Sequence, residues 1–372
     1  MYLENLSLIN FKNYSQIETS FSAKINCFVG NNGVGKTNLL DAIYYLSFCK
    51  SYFNPIDSQN IKHDEPFLVI QGDYNVSDKT ENIYCGVKRN KKKQFKRNKK
   101  EYDKLADHIG LIPLVMISPA DSNLIVAGSD ERRKFMNIVI SQYNKKYLNN
   151  LINYNKALAQ RNKLLKDFAQ SHQFDEETIS LWDHQLIEPG SYILNERIEF
   201  LNKIEPIFQK YYAFISSGNE EVSLNYQSNL LENNYTELFK SSRHKDRILQ
   251  YTTIGIHKDD LQLQLGEFPI KKIGSQGQQK TYLLALKLAQ FDFMKEIYGF
   301  KPILLLDDIF DKLDAGRVEK IIELVANNNF GQIFITDTSK ARLKNILSSS
   351  KINYELFNIE KNMLTLNNID GN

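Results

Sequence analysis

Polar and apolar residues alternate along two regions near the start of the chain. Residues 6–11 and 17–21 alternate on either side of a polar turn at 12–14, and residues 67–74 and 81–88 repeat the pattern. Strict alternation over several residues is typical of a strand with one buried face. The pattern therefore predicts a β-hairpin followed by further antiparallel strands.

Continuous apolar runs appear elsewhere, and they indicate buried strands. These runs are residues 25–29, 114–117, 302–306 and 332–336, and residues 261–265 add one alternating strand. Strands that are apolar on both faces are usual in parallel sheets covered by helices. We therefore expect an α/β fold.

Apolar residues at helical spacing dominate the middle of the chain. Residues 131–168 contain neither Gly nor Pro, and residues 176–212 continue the helical pattern with one expected break at Pro189 and Gly190. This pattern predicts a helical lobe, whereas the Asn-rich residues 219–235 favour strand and loop. Helical spacing also marks three other segments, residues 38–46, 278–298 and 318–327.

The length of the chain supports two lobes. It has 372 residues, more than one hydrophobic core usually serves. The predicted organisation is a head domain of residues 1–130 and 246–372, with a mainly helical lobe of residues 131–245 inserted into it.

The composition is ordinary for a soluble globular protein, with 24% charged and 42% hydrophobic residues. No apolar run is long enough to cross a bilayer, and the N-terminus lacks the layout of a secretory signal. The three cysteines, Cys27, Cys49 and Cys85, show no metal-ligand spacing. We therefore expect a cytoplasmic protein with reduced thiols and no membrane partner.

Residues 30–37 match the phosphate-loop pattern G-x-x-x-x-G-K-[ST] at every required position, between a predicted strand and a predicted helix. Glycines let the backbone wrap a phosphate, and the helix N-terminus directs unpaired N–H groups at it. Lys36 would reach the β and γ phosphates of ATP, and the Thr37 hydroxyl would bind Mg²⁺. The predicted nucleotide contacts of this loop are Gly30, Asn31, Asn32, Gly33, Val34, Gly35, Lys36, Thr37 and Asn38.

A second part of the site is the acidic end of an apolar run. Residues 303–306 are followed by Asp307 and Asp308, and a carboxylate at a strand tip can lie near Mg²⁺. Asp307 would hold the metal, and Asp308 would orient or deprotonate the attacking water. We therefore predict Lys36, Asp307 and Asp308 as catalytic residues. A buried strand with acids in its exit turn is the simpler alternative.

A third part resembles the signature motif of ABC-type ATPases, in which Ser and Gly at a helix N-terminus approach a γ-phosphate. Residues 273–280 carry it, and Ser275, Gly277 and Gln278 are its predicted nucleotide contacts. The alternative is an ordinary helix start with Ser275 as its cap.

Two further segments fit positions of the same ATPase class. Residues 311–314 match the D-loop position, and Thr336 or Asp337 occupies the place where transporter ATPases carry a switch His. In this class the phosphate loop of one chain meets the signature of another. One copy of each motif therefore implies that two chains enclose two ATP molecules, so ATP would drive dimerisation and hydrolysis would reverse it.

Positive charge is concentrated in one segment although the formal net charge is only +3. Residues 88–100 contain nine Lys or Arg and no acid. A solvated hairpin or disordered loop and a contact to nucleic-acid phosphates both fit this composition.

Over nearly its full length the chain resembles the RecF family of ATPases, which are related to SMC proteins. The resemblance rests on residues 8–14, 30–43, 124–135, 154–165, 255–261, 275–280 and 306–308. The segment 255–261 reads G-I-H-K-D-D-L, where the family usually has G-P-H-R-D-D-L. An Arg often found after Ser51 in the family is absent, and residues 118–121 lack the Gln expected of a Q-loop.

The resemblance implies an α/β fold: a P-loop ABC-type ATPase head with an antiparallel β subdomain and an inserted α-helical lobe. It implies DNA binding at gaps where single and double strands meet, and partners similar to RecR, RecO and RecA in recombinational repair, replication and the SOS response. It also favours DNA-facing roles for residues 91–93, Arg132, Arg133, Lys134 and Lys258.

Two other functions remain possible from the sequence. A transporter ATPase shares the phosphate loop, the signature and the D-loop, but it would carry a Q-loop Gln and a switch His. The other is a DNA clamp with a vestigial ATP site. The residues needed for ATP chemistry are nevertheless present, which argues against this function; they are Lys36, Thr37, Asp307 and Asp308.

Overall fold

The structure, a computed structural model, describes residues 1–216, 218, 220–310, 315–326, 330–348, 353–360 and 363–367. The strands are β1 (Tyr2–Phe11), β2 (Tyr14–Ser20), β3 (Ile25–Val29), β4 (Phe67–Val76), β5 (Lys79–Lys88), β6 (Gln94–Arg97), β7 (Lys100–Glu101), β8 (Leu114–Ile117), β9 (Val222–Gln227), β10 (Asp260–Leu265), β11 (Phe268–Pro269), β12 (Ile303–Leu306), β13 (Ile333–Asp337), β14 (Tyr354–Glu360) and β15 (Met363–Asn367). The helices are α1 (Lys36–Phe48), α2 (Asn123–Val126), α3 (Ser129–Tyr143), α4 (Lys145–Ser171), α5 (Glu176–Ser216), α6 (Tyr235–Leu249), α7 (Ile270–Ile273), α8 (Gln276–Tyr298), α9 (Ala315–Ala326) and α10 (Lys340–Ser348).

The chain divides into two compact units. The first contains Met1–Asp121, Tyr211–Gly218 and Leu284–Asn372, and the second contains Ser122–Lys210 and Asn219–Leu283. The predicted helical lobe, residues 131–245, starts later and ends earlier than the second unit, and it includes residues 211–218, which belong to the first unit. The residues that follow 245 belong to the second unit because β10, which lies among them, pairs with β9 along its whole length.

Two sheets form the first unit. One is antiparallel with the order β2-β1-β4-β5-β6-β7, which confirms the strands predicted from alternation. The other has the order β15-β14-β3-β13-β12-β8, and every neighbouring pair in it is parallel except β14 with β15. The strands β3, β8, β12 and β13 are buried at every position, which explains their continuous apolar sequences.

Helix α1 contacts strands of both sheets, among them β4 and β13. Nearly all its residues are buried, so its apolar positions extend around the helix instead of along one stripe. On the mixed sheet four phenyl rings pack together with centroids between 4.9 and 6.0 Å apart. These rings belong to Phe21, Phe28, Phe334 and Phe357.

The second unit contains α3, α4, α6, most of α5 and the small antiparallel sheet β11-β10-β9. The helical run predicted over residues 131–168 is two helices, because Asn144 leaves helical geometry and its side chain caps α4 by accepting from the Tyr147 amide. The break predicted at Pro189 and Gly190 is wrong, since α5 continues through both residues. The buried side chains of Leu186 and Ile193 on either side keep the helix packed across the proline.

Two buried arginines join the helices of the second unit. Arg161 of α4 is fully buried and pairs with Asp183 of α5 and Asp246 of α6, each at 2.7 Å. Arg197 of α5 pairs with Asp259 at 3.3 Å and donates to the Ile256 carbonyl at 2.9 Å. Buried charges need such partners because an unpaired ion in the interior is strongly destabilising.

Within the part of the chain that the structure describes, no helix has the length and apolar character needed to cross a membrane.

Candidate nucleotide-binding site

The predicted phosphate loop leads from β3 directly into α1. Gly33 and Gly35 have φ values of 83° and 108°, in the left-handed region that L side chains rarely adopt. A Cβ at Gly35 would also overlap the side chains of Asn13 and Tyr14. The glycine spacing therefore reflects both backbone conformation and a close neighbour.

Lys36 lies within this loop. Its side chain is buried, and Nζ donates to the carbonyl oxygens of Gly30 at 3.0 Å and Asn31 at 3.1 Å. The loop backbone thus holds the ammonium group at the helix N-terminus, the position from which a P-loop lysine reaches phosphate oxygens.

The turn between β1 and β2 supports the loop from one side. Asn13 Nδ2 donates to the Val34 carbonyl at 3.2 Å, and the Tyr14 hydroxyl donates to the Gly35 carbonyl at 3.0 Å. Asn38 Nδ2 donates to Asn13 Oδ1 at 2.7 Å and ties α1 to the same turn. Sequence analysis gave Asn13 and Tyr14 no role, although both lie in a segment that resembles the RecF family.

The acidic strand end meets the phosphate loop. Thr37 Oγ1 donates to Asp307 Oδ1 at 2.9 Å, and Thr336 Oγ1 donates to the same oxygen at 2.8 Å. Burial raises the pKa of the Asp307 carboxyl, while the hydrogen bonds from Thr336 and Thr37 oppose that rise. The Asp308 amide donates to Thr336 Oγ1 at 2.9 Å.

The sheet explains why these residues meet. β13 lies between β3 and β12, and the three strands are parallel. Their carboxyl ends therefore share one edge of the sheet, where ligands of open α/β sheets bind. The phosphate loop follows β3, Asp307 follows β12, and Thr336 lies near the end of β13.

The two candidates for the switch position separate in the structure. Thr336 bonds Asp307, whereas Asp337 is buried and accepts two hydrogen bonds from Arg342, at 2.6 and 2.9 Å. The geometry therefore favours Thr336 as the group near the reacting phosphate. The predicted D-loop, residues 311–314, lies outside the described residues.

The predicted signature forms a helix start. Ser275 Oγ accepts from the Gln278 amide at 3.2 Å, and Gln278 Oε1 accepts from the Ser275 amide at 2.7 Å, a reciprocal capping box at the start of α8. Gln278 Nε2 also donates to Glu220 at 2.6 Å. Ser275, Gly277 and Gln278 belong to the second unit, whereas the phosphate loop, Asp307 and Asp308 belong to the first.

Asp121 fills the region where a Q-loop Gln was expected. It is buried, pairs with Lys287 of α8 at 2.7 Å, and accepts from the Tyr52 hydroxyl at 2.6 Å and the Ser118 amide at 2.8 Å. The bonds to Tyr52 and Lys287 leave no sequence signal, because both residues lie far from Asp121 along the chain.

Several cations that the sequence offered for DNA contact have structural partners instead. Lys93 pairs with Asp57 at 2.8 Å and Arg97 with Glu81 at 2.8 Å, while Lys91 and Lys92 are exposed. The basic stretch is therefore an antiparallel hairpin edge that contains β6 and β7. Part of its charge stabilises the first unit.

Three cations of the second unit also have structural partners. Arg132 pairs with Asp260 at 2.7 Å, Arg133 donates to the Asp259 carbonyl at 2.6 Å, and Lys134 pairs with Glu131 at 3.3 Å. These three side chains therefore hold α3 to neighbouring parts of the unit or to itself.

The segment 255–261 is mainly structural. His257 Nδ1 lies 2.8 Å from the Tyr154 hydroxyl and Nε2 lies 3.0 Å from the Thr252 carbonyl oxygen. Burial lowers the pKa of His257 to about 4. Burial also raises the pKa of Asp259, which accepts a hydrogen bond from Tyr226.

Comparison with known sequences assigns this architecture to one family. The RecF/RecN/SMC N-terminal domain family matches residues 2–363 of the chain. The DNA replication and repair protein RecF of Bacteroides fragilis is 57% identical over 361 residues, which cover 97% of each chain. The protein of the same name from Porphyromonas gingivalis is 46% identical over 370 residues, covering 98% of this chain and 100% of its relative.

Solved structures agree with the sequence matches. The recombination mediator protein RecF-ATP in the RecFOR pathway aligns with a TM-score of 0.89 at 28% identity, covering 98% of this chain and 97% of that one. A Pyrococcus furiosus Smc head domain aligns with a TM-score of 0.58 at 18% identity, covering 98% of this chain and 96% of that one, and this likeness concerns the fold alone.

Proposed function

The chain belongs to the RecF family, and on that premise we propose that it is an ATP-dependent DNA-binding protein of recombinational repair. In this role it binds single-stranded or gapped DNA in the cytoplasm and dimerises on ATP. It acts with proteins similar to RecR and RecO to help load a RecA-like protein, and so supports replication and the SOS response. The similarity to the DNA replication and repair protein RecF and to the recombination mediator protein RecF-ATP supports this proposal.

The first unit supplies the nucleotide chemistry. The loop amides and Lys36 bind the phosphates of ATP, and the positive charge of Lys36 stabilises the negative charge that develops during transfer. Asp308, at the carboxyl end of β12, orients the attacking water or takes its proton. We expect slow hydrolysis of ATP to ADP and phosphate.

Thr37 and Asp307 are the residues that would hold Mg²⁺. Their oxygens lie 2.9 Å apart, and hydroxyl and carboxylate oxygens are the ligands that this hard cation prefers. Among the described residues no group of three or more His, Cys, Asp or Glu side chains could hold a metal alone. A site of this kind suits Mg²⁺, which is usually bound by few protein ligands together with substrate phosphates.

The second unit supplies the part of the site that acts on a partner chain. Ser275 and Gln278 cap the start of α8, and the positive end of the helix dipole there favours an anion. We propose that Ser275, Gly277 and Gln278 contact the γ-phosphate of the ATP held by a second copy. ATP is then fully bound only in the dimer, which couples nucleotide binding to assembly.

The observation that carries the proposal is the 2.9 Å contact between Thr37 and Asp307, 270 residues apart, at the shared edge of three parallel strands. It joins the phosphate loop to the acidic strand end as ATP hydrolysis requires. The test is ATP hydrolysis by the full chain with and without gapped DNA. We expect measurable turnover that gapped DNA stimulates. ATP binding with no turnover under either condition would favour a DNA clamp with a vestigial site.

A further inference from the structure

Lys258 differs from the other cations that the sequence offered for DNA contact. It is exposed, and its Nζ lies 4.8 Å from the centroid of the Tyr251 ring, which is itself 42% exposed. Both residues belong to the connection between α6 and β10.

Helix α4 fixes the position of this connection. Asn162 Oδ1 accepts from both the amide and the hydroxyl of Thr252, each at 2.7 Å, so the neighbouring Tyr251 is held against the same part of α4. Lys166 lies about one turn beyond Asn162 on the same helix face and is exposed. A second exposed cation therefore lies one helical turn from the residue that anchors this connection.

A third cation comes from the last turn of α6. The Arg247 guanidinium carbon lies 4.1 Å from the centroid of the Phe174 ring, and the side chain is exposed. We call Lys166, Arg247, Tyr251 and Lys258 the Tyr251 patch.

Three acids near the Tyr251 patch have hydrogen-bond or ion-pair partners, and one of them is Asp175, which accepts from the amide and hydroxyl of Thr178. Asp246 is buried and bonded to Arg161 and Thr253, and Glu176 pairs with Arg243 at 2.8 Å. Asp167 follows Lys166 but points about 100° further around α4. The patch therefore combines one exposed aromatic ring and the Lys258 ammonium beside it with two further exposed cations, on α4 and α6.

We propose that the Tyr251 patch binds the single-stranded part of a DNA substrate. A base stacks on the Tyr251 ring, and Lys258, Arg247 and Lys166 pair with backbone phosphates. Stacking requires an unpaired base, so the patch distinguishes single strands from duplex. An acidic protein surface would also be attracted to the cations, but it has no bases that could stack on the exposed Tyr251 ring. The inference rests on the proposed function and identifies the surface that recognises single-stranded DNA at a gap.

The test uses the full chain with ATP and fluorescence anisotropy of a labelled oligothymidylate and of a blunt duplex. Tyr251→Ala is expected to weaken oligothymidylate binding about tenfold and to change duplex binding little, whereas Tyr251→Phe retains the affinity. The matched control is Phe268→Ala, which removes another exposed ring of the second unit, 57% exposed, and is expected to bind as the wild type does.

The contribution of the positive charges of the patch is measured separately, from the salt dependence of the affinity. Lys258→Ala is expected to reduce the slope of log affinity against log salt by about 0.7 for the oligothymidylate, because one phosphate contact is lost. Lys203→Ala, at an exposed lysine of α5, serves as the control and is expected to leave the slope unchanged.

Three results would overturn the inference. Unchanged oligothymidylate affinity in Tyr251→Ala, or an equal loss for single strand and duplex, would remove the stacking role. Competition by poly-L-glutamate better than by oligothymidylate of equal charge would assign the patch to an acidic protein. If the wild type bound neither DNA with ATP, the proposed function would fail as well. Wild-type binding with unaffected variants would remove only the patch.

Discussion

The Lys36 side chain meets several structural requirements at once. It is buried, its ammonium group donates to two carbonyl oxygens of its own loop, and it begins α1. No other residue type combines this reach with a compact charge, because arginine presents a planar fork instead of a point charge.

Lys36→Arg therefore tests the phosphate-loop assignment. The retained positive charge should preserve part of the ATP affinity, whereas the altered geometry should reduce the turnover number at least a hundredfold. Nucleotide binding by calorimetry and steady-state hydrolysis separate the two effects. Normal turnover in this variant would show that the phosphates lie elsewhere.

His257 gives the second unit a pH dependence. Its pKa is lowered to about 4 in the folded chain, chiefly by burial, with Lys258 and Arg133 adding to the effect and the Thr252 carbonyl and Asp246 opposing it. The unfolded chain takes up a proton near pH 6.5 and the folded chain does not, so stability falls as the pH drops from about 6.5 to 4.

The pH dependence should weaken when the imidazole is removed. Between pH 7 and 4.5 we expect the wild type to lose about 2 kcal/mol more unfolding free energy than His257→Gln, after allowance for partial solvent exposure. Urea unfolding followed by fluorescence at both pH values measures the difference. Parallel losses in the two proteins would place the sensitivity at other groups.

At the scale of elements, the β1–β2 turn acts as a support for the phosphate loop. Asn13 is its central residue, since it bonds both Val34 of the loop and Asn38 of α1. The antiparallel sheet thereby supports the loop that we propose to bind phosphate.

Asn13→Ala should loosen this support. Losing two hydrogen bonds, each worth about 1 kcal/mol, is expected to lower ATP affinity about tenfold while unfolding remains cooperative. Asn5→Ala, in the same sheet, is the matched control. Unaltered ATP affinity in Asn13→Ala would mean that the loop holds its conformation without the turn.

Elements with local signals could be predicted from the sequence, and those that depend on distant contacts could not. The hairpin strands, β3 with α1, and β12 all follow from alternation or from short apolar runs. Continuation of α5 through Pro189 depends on packing on both sides of the proline, and the break between α3 and α4 depends on one capping side chain. Single-sequence patterns do not contain such information.

The candidate site divides in the same way. The phosphate loop and Asp307 are visible because their residue types and spacing follow from phosphate and metal chemistry. The bonds of Asn13 and Tyr14 to the loop and the pairing of Asp121 with Lys287 could not be foreseen, because a single sequence does not record which separated side chains meet. The nucleotide-contacting roles themselves remain predictions.

At the scale of the whole molecule, the proposed ATP-dependent dimerisation requires that each chain hold two incomplete halves of a nucleotide site. The phosphate loop lies in the first unit and the signature in the second, and α8 has residues in both. In the proposed dimer each half is completed by the complementary half of a second chain.

Ser275→Arg is the variant that tests this dependence. The larger cation at the start of α8 should obstruct the γ-phosphate of a partner's ATP, while the phosphate loop of the same chain is untouched. We expect loss of ATP-dependent dimerisation with monomer nucleotide affinity within about threefold of wild type, as measured by fluorescent-nucleotide titration. The conservative control is Ser275→Thr, which keeps the hydroxyl cap.

Light scattering of the wild type and Ser275→Arg, each with ATP, with ADP and without nucleotide, is the most direct measurement. The account predicts a mass near twice 43.2 kDa only for the wild type with ATP, and the single-chain mass in the other five samples. A strictly monomeric wild type that hydrolyses ATP at its full rate, or an ATP-induced dimer of Ser275→Arg, would contradict it.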